Sequence, residues 1–120
     1  MFTYERKIPV DMDCGITVYM QVLGAKWKPC IIDMINKGYQ RPSEMHRFIS
    51  EASPRVLDMQ LRELEAMGVV EKHTGSGFPL RTHYTLTDLG MSLVPLVDAI
   101  DNWGKKYGER IKQAIAETVA

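Results

Sequence analysis

Arg55 and Arg62 stand seven positions apart, about two turns of an α-helix, so a helix there would present both guanidinium groups on one side. A guanidinium is permanently charged, and its planar fork fits a phosphate or the O6 and N7 acceptors of guanine. Immediately upstream, Ser53-Pro54 joins an N-cap residue to a proline suited to the first helical position. A helix starting there aims unpaired backbone N–H groups and the positive end of its dipole at the same anion. Arg81, after a Gly/Pro loop, is a further cation for phosphate or for a narrow minor groove. The pattern suits binding a polyanion. Nothing in it resembles a nucleophile elbow, a phosphate-binding glycine loop or a paired acid and base, so no enzyme is expected.

Other reactive groups are few. Cys14 falls in the first turn of an expected helix, where the dipole favours a thiolate and reactivity toward oxidants or electrophiles. Asp11 and Asp13 oppose that ionisation, and packing at an interface is the competing role. Cys30, inside an apolar helical stretch, reads as an inert core residue. His73 and His83 could face each other across a hairpin whose register the sequence leaves open, and read as a solvated cross-strand pair, while His46 reads as exposed. No third ligand accompanies them, so neither a metal nor a cofactor is expected. The eight methionines read as core filler rather than as an adaptable ligand pocket.

The elements that must position these groups follow from apolar spacing. Residues 1–12 show no sustained period and read as an arm. A first helix, with Asp13 as N-cap, turns Ile16, Tyr19, Met20 and Leu23 to one face and ends at Gly24. Trp27-Lys28-Pro29 opens a second helix with Ile31, Ile32, Met34 and Ile35 inward, closed by Lys37-Gly38. A short third helix begins around Pro42 with Met45, Phe48 and Ile49 pointing inward. The fourth runs from Ser53-Pro54 to Gly68, burying Val56, Leu57, Leu61, Leu64 and Met67 and exposing Arg55, Asp58, Met59, Arg62 and Glu65. Residues 69–74 and 81–86 favour strands around Gly75-Ser76-Gly77-Phe78-Pro79-Leu80, hence a hairpin. Thr87-Asp88 then caps a last helix whose stripe is Leu89, Leu93, Leu96, Ile100, Trp103 and Tyr107, with a kink expected at Pro95 and breaks at Gly104 and Gly108.

The fold class is therefore mainly α with a small β-hairpin (α+β): a winged helix-turn-helix flanked by N- and C-terminal helices. At 120 residues the chain suits one domain, read as a 1–12 arm, a 13–104 core module and a 105–120 helical extension. Fifteen basic and fifteen acidic side chains cancel, so attraction to a polyanion must be local rather than global. Within 51–90 the cations Arg55, Arg62, Lys72 and Arg81 are outnumbered by Glu51, Asp58, Glu63, Glu65, Glu71 and Asp88. Lys26, Lys28, Arg41 and Arg47 on neighbouring elements are the expected supplement. No apolar run is long enough to span a bilayer and the first residues lack a signal core, which reads as cytoplasmic with no membrane partner.

Several strings carry a resemblance: Cys14-Gly15 leading to Leu23-Gly24-Ala25-Lys26-Trp27, Ser43-Glu44-Met45, Ser53-Pro54-Arg55-Val56-Leu57 with Leu61-Arg62-Glu63-Leu64-Glu65, and Tyr84-Thr85-Leu86-Thr87-Asp88-Leu89-Gly90. In this order, over residues 13–104, the chain resembles the HxlR family of bacterial winged-helix transcription regulators, related to the MarR-like group. The resemblance implies a homodimer joined mainly by its first and last helices and bound to a pseudo-palindromic operator of double-stranded DNA. Tyr19, Leu23, Leu93, Leu96, Ile100 and Trp103 are then the candidate dimer contacts, and Ser53, Arg55, Asp58, Met59, Arg62 and Arg81 the DNA contacts. It also implies a redox or electrophile sensor at Cys14, an oxidant or small-molecule effector being otherwise unidentified. This chain departs from the pattern at Asp58, where a small hydroxyl residue is usual, and at Met59-Gln60, where a polar or basic pair is usual. A winged helix that binds only protein is the alternative.

Overall fold

The computed structural model describes residues 12–77 and 81–119. Four helices come first: α1 (Gly15–Leu23), α2 (Lys28–Asn36), α3 (Pro42–Phe48) and α4 (Pro54–Ala66). A hairpin of β1 (Val70–Thr74) and β2 (Thr82–Leu86) follows, then the long α5 (Asp88–Val119). The expected arm lies outside the described residues apart from Met12, as do Phe78, Pro79 and Leu80 of the hairpin loop.

Local chemistry explains most of the boundaries. α2 and α4 end in the same motif, with Gly38 (φ 99°) and Gly68 (φ 77°) in the left-handed region that a side chain resists. Tyr39 N–H donates to Met34 O and Gly38 N–H to Ile35 O after α2; Val69 N–H donates to Leu64 O and Gly68 N–H to Glu65 O after α4. Both glycines thus satisfy orphan carbonyls while turning the chain. At the start of α5, Thr87 Oγ1 accepts from Gly90 N–H at 3.1 Å and also contacts the carbonyls of Gly68 and Val69. That one hydroxyl ties α5 to the end of α4.

The sheet pairs β1 with β2 antiparallel, Val70 opposite Leu86 and His73 opposite His83. Tyr84 N–H also donates to Gln40 O at 2.9 Å, fastening the hairpin to the segment between α2 and α3. One core joins these parts: Ile31 and Ile32, Met45, Leu57, Leu61 and Leu64, Val69, Tyr84 and Val97. Burying each large aliphatic side chain contributes roughly 1.5–3 kcal/mol, which locks the four elements around α4.

Several expectations change. The N-cap of α1 is Cys14 rather than Asp13. Ile16 and Met20 of its stripe are exposed while Leu23 is buried, because α2 covers only one end of the short helix. Phe48 is exposed against an expected inward position and packs on Tyr39 in a tilted arrangement, with centroids 4.5 Å apart. Cys30 is exposed rather than in the core. α5 is one helix of 32 residues that continues through Pro95, Gly104 and Gly108, so the expected breaks are absent and no helix end marks residue 104. At about 1.5 Å per residue it spans roughly 48 Å.

Candidate nucleic-acid interface

α3, a tight turn and α4 form the helix-turn-helix. Short-range bonds set the turn: Ala52 N–H donates to Ile49 O at 3.0 Å, and His46 Nδ1 donates to Ala52 O at 3.0 Å. His46 is thus a structural brace, not the exposed residue expected. Ala52 is buried, so the turn is pinned by packing as well. Glu44 takes a hydrogen bond from Arg41 N–H at 3.2 Å, closing the first turn of α3.

Ser53 caps α4, its Oγ accepting from Val56 N–H at 3.2 Å, with Pro54 in the first turn. The capped helix has two faces. Leu57, Leu61 and Leu64 are buried, while Arg55, Asp58, Met59 and Arg62 are exposed. At 100° per residue those four occupy one arc of about 100°. Asp58 and Arg62 form an ion pair at 3.0 Å on this surface, one helical turn apart. The pair offsets part of the repulsion that a lone Asp58 would exert on an anion. Among the described residues no ion pair engages Arg55, which leaves its fork available. Gln60 is not on this face: it is buried on the side toward α1, so of the departing Met59-Gln60 pair only Met59 is exposed on the outer arc.

The wing is stiffened across its strands. His73 stacks on His83 with centroids 4.8 Å apart, and His73 Nε2 lies 2.8 Å from Thr85 Oγ1. Gly75 N–H donates to Arg81 O at 2.8 Å, placing exposed Arg81 where the loop closes.

This arrangement of helix-turn-helix, wing and long C-terminal helix is matched by a family model described as HxlR-like helix-turn-helix, over residues 22–112. The chain belongs to the HxlR-like helix-turn-helix family. Similar proteins include an uncharacterised HTH-type transcriptional regulator of Methanothermobacter thermautotrophicus, 37% identical over 79% of this chain and 72% of the relative. The HTH-type regulator YkvN of Bacillus subtilis is 36% identical over 81% of this chain and 82% of its own. Among solved structures, the redox regulator HypR in its reduced form superposes with a TM-score of 0.78 at 30% identity, covering 83% of this chain and 99% of HypR. The protein is therefore a helix-turn-helix transcription regulator and not an enzyme.

Within this HxlR-like frame the supplementary cations divide. Lys26, Arg41 and Arg47 are exposed, Lys26 with its ammonium 4.9 Å from the Trp27 ring centre. Lys28 is a correction. It is 5% exposed and paired with buried Glu63 of α4 at 3.5 Å, so it is spent inside the protein. No local signal announces that pair, because its members lie far apart in sequence.

The candidate dimer contacts divide too. Leu23 and Leu93 belong to the chain's own core, and Tyr19 is half-buried against it, which corrects the first two assignments. Leu96, Ile100 and Trp103 are exposed, and Ile111 and Ile115 extend their stripe along α5. At Cys14 the nearby Thr17 side chain first, then the backbone N–H groups of Thr17 and Ile16, favour the thiolate and hold the thiol below its ordinary pKa. Cys30 is shifted the opposite way, first by the partial desolvation its neighbours impose on an otherwise exposed residue and then by the carboxylates of Asp33 and Asp101. No helix among the described residues is long and apolar enough to cross a membrane.

Proposed function

We propose that this regulator binds a pseudo-palindromic operator as a homodimer, α4 lying in the major groove and the wing at Arg81 on the adjoining backbone. The observation that carries the reading is the outer arc of α4, where Arg55, Asp58, Met59 and Arg62 project beside a capped helix N-terminus. Arg55 is the guanine or phosphate contact. Asp58 accepts from a cytosine amino group while Arg62 offsets its charge, and Met59 meets an apolar base edge. Lys26, Arg41 and Arg47 add phosphate contacts.

The exposed stripe of α5 supports the dimer, since Trp103, 57% exposed beside Leu96 and Ile100, is costly to leave in water. Two copies would double a modest charge. Footprinting on bound genomic fragments tests the reading. Arg55→Ala should weaken specific binding by about 1–3 kcal/mol with an unchanged fold, and wild-type affinity should fall steeply with salt. A salt-insensitive, sequence-blind interaction would point instead to a winged helix that binds protein.

Cys14 is the group through which oxidants or electrophiles act on this regulator. Its lowered thiol pKa and its N-cap position favour the reactive thiolate. Diamide should release wild-type protein from DNA and leave Cys14→Ser bound; release of both proteins alike would remove the role.

A further inference from the structure

Between α1 and α4 lies a cavity of about 650 Å³, within the roughly 300–1,000 Å³ common to small-molecule sites. Its inner polar lining is Lys28, Gln60 and Glu63, each buried by more than nine-tenths, while half-buried Thr17 and exposed Gln21 lie at its α1 side. Its apolar lining includes Ile16 and Met20 of α1 and Met59 of α4, all three exposed. Three polar side chains are thus hidden at the back of the cavity while three large apolar ones stand in water at its walls.

Two features of the polar lining are unfinished. Gln60 Oε1 is buried without a hydrogen-bond partner, the one such side-chain atom among the described residues. Lys28 Nζ stands 3.5 Å from Glu63 Oε2, longer than the roughly 2.7–2.9 Å of a charge-assisted hydrogen bond. A buried ion pair repays its desolvation only when further hydrogen bonds complete it, and an orphaned amide adds to the deficit. A water could answer Gln60, yet it would leave Ile16, Met20 and Met59 uncovered.

We propose that this cavity binds a small neutral molecule with an apolar body about one ring in size and a carboxamide or alcohol end. With the Gln60 amide turned toward the cavity, the polar end donates to its Oε1 and accepts from Lys28 Nζ, while the body lies on the thioethers of Met20 and Met59, which suit aromatic faces. Charge selects neutrality: a carboxylate would oppose Glu63 and the Gln60 oxygen, and an ammonium would oppose Lys28. Binding itself does not depend on the DNA reading. Because Met59 belongs both to the cavity wall and to the outer arc of α4, occupancy would be felt at the face assigned to the operator.

The test uses the full chain carrying 13C-methyl methionine, titrated with benzamide, with benzyl alcohol, and with toluene as the body lacking a polar end. Benzamide and benzyl alcohol should shift the Met20 and Met59 methyl signals saturably and leave core Met45 in place. Both should bind at least about tenfold more tightly than toluene, as expected when a polar group in the site is otherwise left unpaired. Gln60→Met, which keeps the shape and removes the acceptor, should erase that preference with toluene binding retained; Gln60→Leu serves if Gln60→Met fails to fold. Equal affinity for all three probes, or a preference that survives loss of Gln60, would overturn the proposal. So would the absence of saturable shifts, the result expected if a second copy of the chain seals the cavity.

Discussion

α4 and α5 are both amphipathic, yet they spend their apolar faces differently. α4, 13 residues long, buries Leu57, Leu61 and Leu64 against α2, α3 and the sheet, and turns a polar arc outward. α5 does the same only in its first turns, where Gly90, Leu93 and Val97 are buried. After Val97 none of its described side chains is buried, although the apolar stripe continues to Ile115. Apolar periodicity therefore predicts that a helix forms and which side is apolar, but not what covers it. One helix is finished by its own chain; the other is left uncovered by it over most of its length.

The comparison can be broken most directly at Leu61. Leu61→Ala should destabilise the fold by about 2–5 kcal/mol in urea denaturation, since the site is fully enclosed. Ile111→Ala, on the open part of α5, should cost dilute monomer no more than about 0.5 kcal/mol. Similar losses at both sites would mean that α5 is covered within the chain. Next in size is Trp103→Ala, expected to weaken dimerisation in sedimentation by about 2 kcal/mol or more, as for an aromatic anchor. A wild type that sediments as a monomer at all concentrations would end that argument. Gly90→Ala sharpens the boundary inside α5. A methyl there meets the Val69 carbonyl and the Leu86 side chain, so a loss of roughly 1–3 kcal/mol is expected even though alanine is the better helix former.

What could be read in the sequence was what is encoded locally. Ser53-Pro54, Gly38, Gly68 and Thr87 mark helix ends through bonds spanning a few residues, and the structure uses each of them. That His73 and His83 could meet across the hairpin was legible from its two strands, whereas the register that stacks them came from the structure. Readings that needed a neighbour remote in sequence fared worse. Lys28 looked like a surface cation until Glu63 was brought beside it, and Leu23 and Leu93 were indistinguishable from Leu96 by spacing. Phe48 sat on the expected inner face of α3, but seven residues are too few for α4 to cover that whole stripe. His46 offered a faint signal, being six positions before a small residue in a tight turn.

By itself the sequence determined the order of elements, the capped start of α4, the arc that carries Arg55 and Arg62, and the family. Each rests on spacing or on groups that act within a turn or two. Only the tertiary structure decided which of two charged or two apolar residues is spent inside, since burial is settled by packing between segments distant in the chain. It also placed Gln60, Lys28 and Glu63 together under α1, a juxtaposition that no periodicity encodes.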